Sequence, residues 1–449
     1  MKKTTEAVVP LVLGLGLLFA GCSKKHSAEW KSLKNPEIVA QLRTFVAEKE
    51  AQANAATVAS GESTLPEYKR FFAAAEKGDW PALNKAFEEL KMQAPQYEHP
   101  PGSKIDERLR GKQWAAVAET WGAFDAFGEG DEKYSAAFGN DIIASIPPGS
   151  IYFGGTDPGR FLVTALQKSH VGGDPFFTLT QNALADMSYL DYLRSIYGDK
   201  INIPTPEDSQ NCFQEYTEAA QQRLKSNKLK PGENVQVNAA NGRIQVSGQA
   251  AVMEINGLLV KTILEKNPGR EFYIEESWPL GEWLYPHLEP HGLIMKINRQ
   301  PSSQLSEEII RPDHDYWTKY IQPMIGEWLK NDTSVETIKS YAERVFLRHD
   351  FAGFTGDPKF VQNDYSCKMF SKLRSSMAGV YVWRMNQAAT AIEKERMARE
   401  ADFAYRQALA LCPYLPEAAG GYADFLRSQN RDSDATLISE MAERFPKQK

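Results

Sequence analysis

Two short stretches of this 449-residue chain carry residue types that can do chemistry. The first is Gly154-Gly155-Thr156-Asp157-Pro158-Gly159-Arg160. Glycines directly after an apolar run let backbone amides turn toward a ligand, Thr156 or Asp157 can cap a following helix, and that helix start carries partial positive charge. An anion suits such a loop, and Arg160 offers a bidentate contact to phosphate or carboxylate. The same residues also read as a tight turn with a helix cap. The Lys of a P-loop and the third glycine of a dinucleotide fingerprint are missing, and Asp157 repels phosphate unless it caps the helix or holds a sugar hydroxyl. The second stretch is Glu275-Glu276-Ser277-Trp278, followed by Trp283, Tyr285, His287 and His291. Paired carboxylates beside aromatic rings suit a glycan, as acid and base or with rings stacked on sugar faces. Against a shared site, neighbours on a strand point to opposite faces, and Pro286 and Pro290 interrupt any helix that would align the two histidines.

These residues need elements to position them, and the pattern around them alternates strand and helix. Ser150 to Phe153, Phe176 to Thr180, Glu271 to Glu275 and Leu293 to Ile297 read as strands, with Asn182 in the loop after the second. Helices are expected at 161–167, 187–197 and 250–265, and a hairpin at 234–246 around Asn241-Gly242. The expected fold is α/β at 145–300, a helix-covered and mainly parallel sheet. Open sheets of this kind bind ligands beyond the carboxyl ends of their strands. The candidate ligand-binding set is therefore Gly154, Gly155, Thr156, Asp157, Arg160, Asn182, Glu275 and Glu276.

The flanks read as helical. Residues 36–144 show helical texture; within 68–92, Phe71, Phe72, Ala75 and then Leu83, Phe87, Leu90 lie on either side of Lys77-Gly78-Asp79-Trp80, the signature of an antiparallel helix pair. Residues 301–449 are helical too. Ala401, Tyr405, Ala408 and Pro413 fall on the spacing of the second helix of a tetratricopeptide unit, and Ala435 and Ala442 follow Ala401 and Ala408 by 34 residues. About one and a half units are clear, so a long tetratricopeptide groove is not expected. Asp313-His314-Asp315 reads as a helix start, with Asp313 as its cap.

Compartment is read from the beginning of the chain. Lys2 and Lys3 precede an uncharged, mostly apolar run from Ala7 to Ala20, too short for a spanning helix. It closes on Leu18-Phe19-Ala20-Gly21-Cys22, which resembles the lipobox of bacterial lipoproteins. That resemblance implies a signal peptide at 1–21, lipidation of Cys22, a polar tether at 22–35 and, with Ser23 after the cysteine, an outer-membrane anchor facing the periplasm. Cys212, Cys367 and Cys412 form no disulfide framework, and no close Cys/His pair suggests metal. No metal and no cofactor are expected. With 52 basic and 58 acidic side chains, a formal charge of −6, and no long basic run, no nucleic-acid partner is expected either.

The central region also resembles the soluble, periplasmic half of a bacterial family of uncharacterised glycosyltransferase-like membrane proteins. The likeness rests on Ile151-Tyr152-Phe153-Gly154-Gly155-Thr156-Asp157, on the Asn182 loop and on Arg270-Glu271-Phe272-Tyr273-Ile274. It implies an exported α/β fold and involvement with envelope glycans. The family's acidic catalytic residues lie in a transmembrane half with no counterpart here, so glycosyl transfer is not carried over. The leading expectation is a lipid-anchored, non-catalytic module that binds or scaffolds an envelope protein or glycan. The alternative is a periplasmic enzyme acting on carbohydrate or phosphate esters.

Overall fold

The computed structural model describes residues 33–446 apart from 60, 62, 96, 98, 101, 110, 111, 238–243 and 277–280. The expected leader, Cys22 and most of the expected tether lie outside the described residues, as do Asn241-Gly242 and Ser277-Trp278.

Five helices come first: α1 (Pro36–Ala59), α2 (Pro66–Lys77), α3 (Trp80–Lys91), α4 (Lys112–Glu129) and α5 (Glu132–Ser145). The expected helix pair is α2 and α3. Gly78 ends α2 at φ 66°, its N–H bonding to Ala74 and Ala75 carbonyls, and the Asp79 side chain accepts from the Ala82 amide to open α3.

The α/β part contains β1 (Ile151–Gly154), a π-type turn at Pro158–Leu162, α6 (Val163–Leu166), β2 (Phe177–Thr180), a 3-10 turn at Gln181–Ala183, α7 (Met187–Tyr197) and α8 (Pro206–Lys225). The hairpin β3 (Asn234–Val237) and β4 (Ile244–Ser247), α9 (Gln249–Lys266), β5 (Phe272–Ile274), β6 (Leu288–His291) and β7 (Ile294–Ile297) follow. The main sheet runs β2-β1-β5-β7-β6. Strand β1 pairs parallel with β2 and β5, whereas β5 with β7 and β6 with β7 are antiparallel. The sheet is thus mixed, and the expectation of a mainly parallel one is corrected. The cause is β6, in a Pro-punctuated stretch that does not read as a strand: Gly292, at φ 61°, and Leu293 join it to β7 as a tight hairpin, a connection only antiparallel strands can use. All four residues of β1 and of β2 are buried, as expected for parallel strands covered on both faces.

The remaining helices are α10 (Glu307–Ile325), α11 (Val335–Tyr341), α12 (Pro358–Gln362), α13 (Asp364–Gln387), α14 (Ala391–Leu411), α15 (Pro416–Ser428) and α16 (Asp432–Glu443). α13 packs along α14, and α15 along α16. Ala401 and Ala408 are fully buried, which lets α13 and α14 approach closely, and Tyr405 stacks on Tyr422 of α15 at 5.5 Å. Asp313 does not open a helix: α10 begins six residues earlier, and Asp313 is buried within it, bonded to Arg374 at 2.8 Å and Tyr381 at 2.7 Å. A buried guanidinium partner, which local sequence cannot show, takes the carboxylate that the pattern assigns to a cap.

One polar cluster ties the N-terminal helices to the sheet. The fully buried Lys49 ammonium of α1 donates to Glu119 of α4, to Nδ1 of His170 and, at 2.8 Å, to the Tyr192 hydroxyl of α7. Tyr192 donates to Glu119 at 2.6 Å. Since Nδ1 of His170 accepts, Nε2 carries the proton and donates to Tyr197, which in turn donates to the Thr178 carbonyl of β2 at 2.9 Å. Burial, with the adjacent Lys49 charge, pushes His170 down to about 3 and keeps it neutral. Among the described residues, no helix is long and apolar enough to cross a membrane.

Candidate functional site

The carboxyl ends of β1, β2 and β5 lie side by side in the sheet, so the loops after them meet. After β1, the glycine loop turns on Thr156, whose hydroxyl accepts from the Gly159 amide at 3.1 Å. The two amides expected to face an external anion are already used. Oε2 of Glu275, buried at the end of β5, accepts from Gly155 N–H at 2.7 Å and Thr156 N–H at 2.8 Å, and the Thr156 hydroxyl donates to Oε1. The anion in this loop is the chain's own. Gly159 must be glycine for the same reason: a Cβ there would collide with the Glu275 carboxylate. Burial pushes the Glu275 carboxyl up, against the pull of these three donors.

Glu276, the next residue, also reaches the loop, with Oε1 2.7 Å from where a Cβ on Gly155 would stand. It is 6% exposed, and Oε2 stands 3.3 Å from the Lys372 ammonium of α13. Burial raises its carboxyl to about 7; Lys372 opposes that rise and Glu275 adds to it. Burial alone would lower Lys372, but the carboxylates of Glu276, Glu417 and Glu275 outweigh it and hold the ammonium above its ordinary value. Helices α13 and α15 thus bring charge to the strand ends from far along the chain.

Gln181, the first residue after β2, completes the arrangement. Its side chain is fully buried, and neither Oε1 nor Nε2 has a hydrogen-bond partner. A Cβ on Gly155 would collide with this amide and stand 2.7 Å from Oε1 of Glu276, so the missing side chain lets both groups reach one spot. Asn182 donates to the Gly155 carbonyl at 2.8 Å while its Oδ1 is without a partner, and its own carbonyl accepts from Asn256 of α9 at 3.1 Å.

The structure therefore brings together Gly154, Gly155, Thr156, Asn182, Glu275 and Glu276 from the sequence-derived set. Arg160 is not an open anion clamp. It is 4% exposed, lies over the Phe161 ring at 4.3 Å and donates to Asp157, whose side chain is half exposed at the rim. The turn after Asp157 is followed by only four α-helical residues, so it presents little helix dipole. Near Asp157 on α4, Asp125 is raised to about 7 by burial and by the Glu129 and Asp157 charges. His287 and His291 do not converge: their rings bond the Asn298 and Ser145 carbonyls, each at 2.7 Å. Tyr285 stacks on Trp383 at 5.9 Å, and Trp283 lies edge-on to His287. Among the described residues no group of His, Cys, Asp or Glu is placed to hold a metal ion.

Three contributors escape the sequence reading. Gln181 had one available signal, its place directly beyond a strand's carboxyl end. Lys372 and Asp125 had none, because only packing brings their helices to the loops. No family model, curated protein or solved structure matches the chain. Chemically, the loops offer neutral hydrogen-bonding groups at Gln181 and Asn182 beside one carboxyl that titrates near neutrality.

Proposed function

We propose that this protein is exported and lipid-anchored through Cys22, held at the outer membrane facing the periplasm, and acts as a non-catalytic module that binds a glycan or protein partner. The address rests on the charged start, the short apolar run and the small residues before Cys22. Binding rests chiefly on one observation: three strand-end loops close around the Gln181 amide and leave its donor and acceptor unused. Buried polar groups are almost always paired, and an unpaired one calls for a partner supplied from elsewhere. The helical hairpins α13–α14 and α15–α16 act in this reading as a short tetratricopeptide-like flank that walls the crevice and presents Lys372. The resemblance to the periplasmic half of glycosyltransferase-like proteins favours a glycan.

Mass spectrometry of the native product tests the address: a diacylated or triacylated N-terminal Cys22 is expected, and an intact leader would overturn it. For the binding role, the full chain displayed on a resin should retain a glycan or protein from detergent-solubilised envelopes, and Gln181→Leu should weaken retention. A second reading, a periplasmic enzyme acting on carbohydrate or phosphate esters, is favoured by Glu276, whose carboxyl near 7 beside Lys372 suits proton transfer. Robust turnover of such substrates, lost in Glu276→Gln, would replace the first reading with the second.

A further inference from the structure

The charges around the crevice are already matched within the chain. Glu275 takes two backbone amides and the Thr156 hydroxyl, Asp157 takes Arg160, and Glu276 faces Lys372. An ionic ligand would have to break one of these pairs or remain without a counter-charge, and both are costly in a buried place. What the crevice leaves unused is neutral: the Gln181 Oε1 acceptor, the Gln181 Nε2 donor and the Asn182 Oδ1 acceptor.

Hydrogen-bond inventories narrow the class further. Carboxylates and phosphates only accept, so they would face two acceptors with nothing to give; ammonium groups only donate and leave Nε2 unmet. Peptide and acetamido groups do both, but their trans geometry sets N–H and C=O on opposite sides, so one Gln side chain cannot engage the pair. Two adjacent hydroxyls have no such restriction. One donates to Oε1, its neighbour accepts from Nε2, and a further hydroxyl can donate to Asn182.

We propose that the crevice binds an uncharged sugar through a vicinal hydroxyl pair seated on the Gln181 amide, with Asn182 Oδ1 accepting from a third hydroxyl. This rests on the binding-module reading and names the ligand class of that same site. Gly155 is required beside this amide, since a Cβ there would collide with Gln181 itself and crowd Oε1 of Glu276. Because Gln181 is wholly covered in this structure, binding requires the loops over it to open.

The test is calorimetric titration of the full-length mature chain with glucose, galactose, mannose and N-acetylglucosamine, alongside glucuronate, glucose 6-phosphate and dialanine. At least one neutral sugar is expected to bind saturably. The corresponding monodeoxy sugar should bind at least tenfold more weakly, as should the neutral sugar to Gln181→Leu and Gly155→Ala variants. Thermal melts superimposable on the parent's show that Gln181→Leu is folded, so that variant stays informative if Gly155→Ala is not. Binding confined to the acidic sugars or to dialanine, or neutral-sugar binding indifferent to Gln181→Leu, overturns the sugar assignment and leaves a binding module standing. No binding of any probe, with envelope retention intact, overturns the sugar assignment alone; loss of both removes the underlying reading as well.

Discussion

The Lys49 cluster and the Gln181 crevice are built from similar groups at similar depth, and they differ in completeness. Around Lys49 the ammonium, carboxylate, imidazole and two phenols have partners, and the chain of bonds ends on the backbone of β2. Around Gln181 its own amide and the side-chain Oδ1 of Asn182 have none. A finished network fixes one arrangement and holds elements together; an unfinished one keeps bonding capacity in reserve. The finished network lies between helices and sheet, the unfinished one at the strand ends where ligands of α/β sheets bind. Burial alone therefore does not distinguish scaffold from site here. Gln181 stands apart from the Lys49 cluster in that both ends of one buried amide are unused at the strand ends.

Substitutions should separate the two regions by size of effect. Lys49→Met leaves the Glu119 carboxylate buried without its counter-charge, and urea unfolding should report a loss of about 3–5 kcal/mol. Adding Glu119→Gln should recover part of that loss, whereas strictly additive losses would show the pair to be uncoupled. At the crevice, Glu275→Ala strips the acceptor from the Gly155 and Thr156 amides and should cost about 1–3 kcal/mol. Hydrogen exchange at those two amides should rise in the same variant; unchanged exchange would mean that Glu275 does not hold the loop.

The pH dependence runs in opposite directions in the two regions. Glu276 binds its proton more tightly folded, with a pKa of about 7 against 4.5 for the free side chain, so folding stability falls as pH rises through this window. Asp125, raised to about 7 from 3.8, acts in the same sense. His170 is lowered from 6.5 to about 3, so its contribution is present above 6.5 and is lost as pH falls toward 3. Glu276→Gln should remove up to about 1.4 kcal/mol per pH unit of the negative slope between 4.5 and 7. A slope unaltered by that change would place Glu276 in water.

The smallest effect is the sharpest contrast. Gln181→Leu removes an amide that forms no hydrogen bond, so stability should shift by less than about 1 kcal/mol, in either direction. Tyr192→Phe, which deletes one hydroxyl from the complete network, should cost more than that. Equal losses in the two variants would show that Gln181 is paired in solution after all.

Much of the local structure was legible. Gly78-Asp79 stops one helix and starts the next, Met187 to Tyr197 is α7 as read, and the buried runs ending at Phe153 and Thr180 are parallel strands. The 206–225 helix had a readable cap in Thr205 and Asp208, but its buried side is sparse, with Cys212, Tyr216, Thr217 and Ala220, and gives little apolar periodicity. Gly155, Thr156, Asn182, Glu275 and Glu276 were recognisable as candidates because strand ends can be counted along a chain. What each does was not. Glu275 looked available to a substrate and is spent on its own loop, while the unremarked Gln181 holds the unused bonds.

Sequence alone determined several local boundaries, such as the Gly78-Asp79 junction and the extent of α7, since caps, glycine turns and apolar periodicity act over a few residues. It also carried the order of elements that brings β1, β2 and β5 together. Tertiary structure decided the direction of β6 and β7, the joining of Lys49 to Glu119 and His170, the arrival of Lys372 beside Glu276, and which polar groups were left without a partner. These depend on distances between residues far apart in the chain, and a hydrogen bond exists only when both of its ends have been brought within about 3 Å of each other.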